Sequence, residues 1–209
     1  MTVLPVEQRT MIRNLERLPA LYRVAFAAAC AERLLPAYIR YSRNTGRGDS
    51  DGTAIILERL WRDLRGEEMN PDELRANLAF VEAAVPDYLN TEWTVDMPAA
   101  DDAARALLYA LTCRLTGKAQ DAAWSARIAC DAVFAYLIQQ KVIDIRQRDP
   151  VRRGVSHPLY QAERARQNRD LNELLVASES ERRSLVDRLR ERAKSEAAAF
   201  FGQGSGDPV

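Results

Sequence analysis

The sequence predicts an all-α fold, a compact single-domain bundle of about eight helices. Three observations carry this expectation. Apolar residues recur at spacings of three and four, the period of a helix face. No run of Val, Ile or Thr alternates cleanly between turn signals, so strands have no pattern to form from. Several segments begin with capping residues and end at Gly or Pro. The 209 residues fit one domain at about 150 residues each. A content of 47% hydrophobic and 29% charged residues is too apolar for a disordered chain. A chain of this size buries roughly 70% of its unfolded surface, enough to fold without metal or disulfides.

Each element follows from local chemistry. Residues 5–18 place Met11, Ile12, Leu15 and Leu18 on one helical face. Residues 19–41 contain VAFAAACA, apolar all round, which predicts a buried helix. Pro36 removes a backbone donor there, so a kink or break is expected just before it. Residues 44–52 (NTGRGDSDG) read as a tight turn and cap before a third helix over 53–65, which carries Ile56, Leu57, Leu60, Trp61 and Leu64 on one side. Asn70, Pro71, Asp72 and Glu73 give a fourth helix its start, and Pro86 its stop. Residues 87–97 read as irregular. A fifth helix runs from Pro98 to Leu115, ending at Gly117, and a sixth over 119–145 is apolar along most of its length. RQRDPVRRGVSHP (146–158) reads as a basic connecting loop, with Ser156 as cap for a seventh helix over 158–177. Ser178 with Glu181 forms a capping box for an eighth, reaching about Phe201. The domain is thus expected to span 1–201, with GQGSGDPV (202–209) a disordered tail.

Cys30, Cys113 and Cys130 are odd in number, widely spaced and set among alanines. They read as small buried hydrophobes in a reducing compartment rather than as a zinc or redox motif. The first residues lack the basic-then-apolar order of a signal peptide, and no uncharged run approaches the ~18 residues of a membrane span. The cytoplasm is the expected location, with no membrane contact.

Zero net charge argues against general nucleic-acid binding, but it hides a segregation. Residues 67–102 hold ten acids and one base, Arg75, so the rest of the chain sums to +9, nearly all of it arginine. One reading is internal pairing with those arginines. The other is an exposed acidic face with aromatic anchors, which steers a basic partner. On that reading the partner-binding residues are Glu82, Asp87, Tyr88, Glu92, Trp93, Asp96, Asp101 and Asp102.

Catalytic constellations are weak. His157 is the only histidine, which excludes any site built on two, and no G-x-S-x-G or reactive-cysteine context accompanies it. DSDG (49–52) lacks the later carboxylates of a calcium loop, and no G-K-[S/T] follows GRG (46–48). Glu82, Asp101 and Asp102 leave open a carboxylate cluster for a divalent metal. The arginines of 146–153 leave open a phosphate-backbone patch. No cofactor, catalytic residue or metal ligand is assigned.

The stretch 15–64 also carries a pattern: LERL (15–18), an aromatic-x-x-V-x-F step modified to YRVAF (22–26), CAERLLPAY (30–38), GRGD (46–49) and a leucine-rich segment ending WRDL (61–64). PAADDAARAL (98–107) and HPLYQAERARQNRDLNELL (157–175) extend it. The chain thereby resembles the YjaG-like family of small bacterial all-helical proteins of unknown function. Tyr22 stands where that family commonly has tryptophan. The resemblance implies a helical fold and a bacterial source, and it carries over no catalytic residues. Glu32 and Arg33, polar members of the pattern on a buried helix, are expected to pair internally. The expected function is therefore a non-enzymatic interaction module, most concretely an immunity-type protein that neutralises a bacterial toxin by covering a basic surface. A divalent-metal carboxylate enzyme and a nucleic-acid-associated protein using the 146–153 arginines are the alternatives, and homo-oligomerisation is left open.

Overall fold

A computed structural model describes residues 6–89 and 92–201. Among these there are nine α-helices and no strand. They are α1 (Val6–Glu16), α2 (Ala20–Thr45), α3 (Ser50–Leu64), α4 (Pro71–Ala84), α5 (Met97–Thr116), α6 (Ala119–Gln139), α7 (Pro150–Val155), α8 (Pro158–Val176) and α9 (Arg182–Phe201). The all-α bundle expected from helix periodicity is what forms, with one helix more than expected. The expected tail, 202–209, lies outside the described residues.

The alanine-rich α2 is the axis. Residues 24 to 31 are buried without interruption, because α5, α6, α9, α3 and α8 pack around it. Small side chains let these neighbours approach closely, and the larger Leu15, Phe26, Leu57, Trp61, Leu107 and Leu111 fill the space between. α5 also packs on α6 and α4, and α1 lies on α6. A second, smaller core of Val133, Leu137 and Ile143 lies at the far end of α6, with Phe134, Leu159 and Tyr160 against it.

Local start signals held where they were strongest. The Asn70 side chain accepts hydrogen bonds from the backbone N–H groups of Asp72 and Glu73, at 3.1 and 2.9 Å. Asp49 Oδ1 accepts from Gly52 N at 2.7 Å and starts α3 three residues before the expected Thr53. The turn ahead of it is tight. Gly48 has φ +71°, and a Cβ there would collide with the Tyr38 hydroxyl.

The structure corrects four boundaries. α2 continues as helix through the half-buried Pro36, because the buried residues on either side of it, Leu34, Ala37 and Tyr38, outweigh one lost backbone hydrogen bond. α6 stops at Gln139 rather than Ile145. Lys141 turns left-handed (φ 57°), and the N–H groups of Val142 and Ile143 return to the Leu137 carbonyl, at 3.0 and 3.2 Å. The basic loop contains a helix, α7, begun by Asp149 and Pro150. Its Gly154 lies so close to α6 that a Cβ would overlap the Phe134 ring. α8 is capped by His157, whose Nδ1 accepts from Leu159 N at 3.2 Å, and not by Ser156. Glu181 reaches back to Ser178 as a capping box requires, but a 3-10 turn (Glu179–Glu181) intervenes before α9.

Candidate functional site

The acidic segment divides into paired and projecting groups. Glu73 takes two hydrogen bonds from Arg59, from Nε at 2.6 Å and Nη2 at 3.0 Å. Arg62 Nε donates to Glu67 at 2.7 Å, Arg75 to Asp72 at 2.7 Å, and Arg105 to Asp101 at 2.8 Å. Much of the charge is thus balanced by arginines near in sequence. Asp96 is a correction to the expected face, because the structure places it inside. Its Oδ1 accepts from Arg40 Nε at 2.9 Å and its Oδ2 from Asn44 Nδ2 at 2.8 Å. That carboxylate ties the connector before α5 to the last turns of α2. It therefore does not cap α5, at whose N-terminus it stands.

Glu82, Asp87 and Glu92 are exposed, and the Glu92 carboxylate lies 3.9 Å from Arg47 Nη2. Asp87 Oδ1 accepts from Leu89 N at 2.9 Å, an Asx turn that shapes the connector. Arg47 holds the connector at a second point, donating to the Glu92 carbonyl at 2.8 Å. Around these acids four large apolar side chains face solvent: Tyr88 (46% exposed), Leu89 (93%), Trp93 (62%) and Val95 (51%). Trp93, Val95 and Pro98 form one wall of a groove of about 300 Å³, and Tyr136 and Gln139 of α6 belong to the other. Gln139 Nε2 donates to the Val95 carbonyl at 3.4 Å, fixing the two walls together.

Asp102 is half-buried on α5, and its carboxyl is pushed up to about 7. Burial is the main cause, followed by Asp101 and Asp131, with Arg105 opposing. Burial, and after it the Asp101 and Asp102 carboxylates, raise the Tyr88 phenol to about 12, with Arg105 again opposing. Tyr88, Asp101, Asp102 and Arg105 are therefore one electrostatic neighbourhood at the start of α5. Of the eight residues expected on the face, Glu82, Asp87, Tyr88, Glu92 and Trp93 are exposed, Asp101 and Asp102 are partly buried, and Asp96 is internal. The sequence reading missed Leu89, Val95 and the α6 wall. An isolated apolar residue in an irregular segment is a weak signal, and the wall is contributed from 40 residues further on.

Glu32 and Arg33 do pair internally, with distant partners. Arg33 Nη1 donates to Asp170 at 2.8 Å, and its Nη2 is 3.3 Å from Glu163. Glu196 lies at 3.5 Å. Burial alone would lower the guanidinium pKa, but Glu163, Cys30 and Asp170 outweigh it and raise it. Arg192 and Arg169 complete the cluster from outside, at 2.9 and 3.2 Å from Asp170. Glu32 accepts from Trp61 Nε1 at 2.6 Å. Burial pushes its carboxyl up, with the Trp61 bond, Arg190 and Lys194 opposing. Tyr38 donates to the Ala84 carbonyl at 2.9 Å. Glu32, Arg33 and Tyr38 of the 15–64 pattern thus hold helices together.

Other candidates resolve simply. The three cysteines are buried and unbridged. Among the described residues no group of three or more His, Cys, Asp or Glu is placed to hold a metal ion. No helix among them is long and apolar enough to cross a membrane. Arg146, Arg148, Arg152 and Arg153 are all exposed around α7.

Comparison with protein families places this arrangement. The family described as protein of unknown function (DUF416) matches residues 10–202. The chain belongs to the DUF416 family. A crystal structure of a DUF416 family protein from Shewanella baltica OS155 is similar, with a TM-score of 0.74 and 21% identity, over 88% of this chain and 93% of that one. The two proteins therefore share one fold over most of their length, and that level of identity speaks for the fold alone. No curated protein matches the chain.

Proposed function

We propose that this DUF416 protein is a cytoplasmic interaction module that binds a basic protein through the connector between α4 and α5. The observation that carries this reading is the group of four exposed apolar side chains, Tyr88, Leu89, Trp93 and Val95, set among the projecting carboxylates of Glu82, Asp87 and Glu92. Isolated exposed apolar residues are ordinary, but several together beside a groove mark a contact surface. The acids steer a cationic partner, and the aromatic rings and the groove supply desolvated anchor points. In its most specific form the partner is a toxin domain with a positive cleft, and the protein is its immunity-type inhibitor. The three unbridged buried cysteines suit a reducing compartment. The 15–64 block supports placing the chain with YjaG-like members of its family.

The test is affinity capture of tagged protein from its own cells, at low and high salt, with Trp93→Ala and with a Glu82→Gln, Glu92→Gln double variant. A stoichiometric basic partner is expected with the unmodified chain. Trp93→Ala should weaken its binding by about tenfold or more, and the double variant should flatten its salt dependence. A partner held equally by all three proteins would exclude this face.

A second reading rests on the four exposed arginines around α7, which suit phosphate-backbone contact. Binding of duplex DNA or RNA that falls steeply with salt, and is lost on changing Arg152 and Arg153 to Gln, would favour it.

A further inference from the structure

A second cavity, of about 370 Å³, lies between α1, α6, α7 and α8. Its walls are mostly apolar: Met11 of α1, Cys130 and Phe134 of α6, Val151 and Val155 of α7, and the ring of Tyr160 of α8. It has more than twice the ~150 Å³ of an apolar cavity that binds benzene, so it has room for a ring and a substituent. One polar group is out of keeping with such a wall. Gln8 is only 7% exposed. Its Oε1 accepts from Arg127 Nη1 at 3.4 Å, while its Nε2 has no hydrogen-bond partner among the described residues. A buried amide N–H left without an acceptor is costly, and native proteins rarely tolerate it without a reason.

The charged groups at the cavity cancel. Arg127 Nε pairs with Asp131 at 3.0 Å, and Arg164 Nη1 pairs with Glu7 at 3.3 Å. An anionic ligand would meet two carboxylates beside these arginines, and a cationic one two guanidiniums. Burial also pushes the Tyr160 phenol and the Cys130 thiol up to about 12, so both stay protonated and Cys130 is no nucleophile. The Gln167 Nε2 donates to the Ala126 carbonyl at 2.9 Å and to Glu163 at 2.9 Å, which leaves Gln8 as the lining amide whose N–H group has no acceptor.

We propose that this cavity binds a small uncharged molecule with an aromatic or branched aliphatic body and one carbonyl oxygen, which accepts the hydrogen bond from Gln8 Nε2. The body packs against Met11, Phe134 and Tyr160. This site stands on different residues from the α4–α5 surface and does not depend on a protein partner.

Three probes of similar size test it on the full chain by protein-observed NMR titration: acetophenone, ethylbenzene and benzoate. Acetophenone should shift resonances of α1, α6 and α8 and bind about five- to tenfold tighter than ethylbenzene, the worth of one hydrogen bond. Benzoate should bind more weakly than either. Gln8→Leu should make acetophenone and ethylbenzene equal, without lowering the melting temperature, since it removes an unpaired buried donor. Val155→Phe, which adds bulk to the wall, should weaken both. No shifts with millimolar acetophenone, equal affinity for ethylbenzene in the unmodified chain, or a preference that survives Gln8→Leu would overturn the proposal. Tighter binding of benzoate would overturn its uncharged character.

Discussion

The ion cluster around Arg33 and the charged surface of α4 and α5 use the same residue types to opposite ends. Arg33 brings together Glu163 and Asp170 of α8 with Glu196 of α9, partners 130 or more positions away. The surface pairs Asp72–Arg75 and Asp101–Arg105 lie within one helical turn. Around Arg33 water is excluded, so any unmatched charge is penalised and the geometry of three helices is fixed by the match. On the surface, water screens each pair and its partner is dispensable. What separates the two regions is burial, which the count of charges in the sequence does not contain.

The sharpest break of this contrast is Arg33→Ala. It leaves Glu163 and Asp170 buried without their central cation and should cost roughly 3–5 kcal/mol, read by urea denaturation. Trp61→Phe should come next, at about 2 kcal/mol, because it removes the donor that holds the Glu32 carboxylate while keeping most of the ring volume. Asp102→Asn probes the boundary between the regions. The folded protein holds the Asp102 proton up to about 7, against 3.8 for an ordinary aspartate. Between those values the folded state binds a proton that the unfolded chain has lost, so stability falls as pH rises towards 7 and is then level. The Asn variant cannot ionise, so its loss of stability between pH 5 and 8 should be smaller by about 2 kcal/mol, or roughly 4–8 °C in melting temperature. A pH profile identical to that of the unmodified chain would show that Asp102 is freely solvated. The smallest effect is expected for Asp72→Asn, where loss of the solvent-exposed pair with Arg75 and of a negative charge in the first turn of α4 should move the melting temperature by about 1–3 °C. A larger shift there would erase the distinction between the two regions.

The sequence made legible whatever is decided within one helical turn. Asn70 and Pro71 start α4, Asp49 starts α3, and the apolar run in α2 signals burial, because each outcome depends on neighbours three or four residues away. The errors have a common origin in distant contacts. α2 continues through Pro36 because distant helices bury its neighbours Leu34, Ala37 and Tyr38, and Asp96 turns inward because Arg40 and Asn44 wait for it on α2. α7 starts at Pro150, a residue suited to a first helical turn, inside a segment whose arginines read as a solvated loop. The projecting part of the candidate surface was half visible: composition named Tyr88 and Trp93, but the groove wall from α6 could only be seen once the chain was folded. The cavity beside Gln8 left no trace in the sequence, because four helices from both ends of the chain enclose it.

The central position of α2 also sets a problem of timing. During synthesis α2 is made early, yet α5, α6 and α9, which cover it, come later, and α9 is last. At about 5–20 residues per second, the interval between the end of α2 and the start of α9 is on the order of ten seconds. Throughout that interval the apolar stretch of α2, residues 24–31, stands without its final cover. The growing chain is thus most in need of protection well before α9 leaves the ribosome, and a truncation that removes α9 should be recovered bound to chaperones rather than as a soluble fragment.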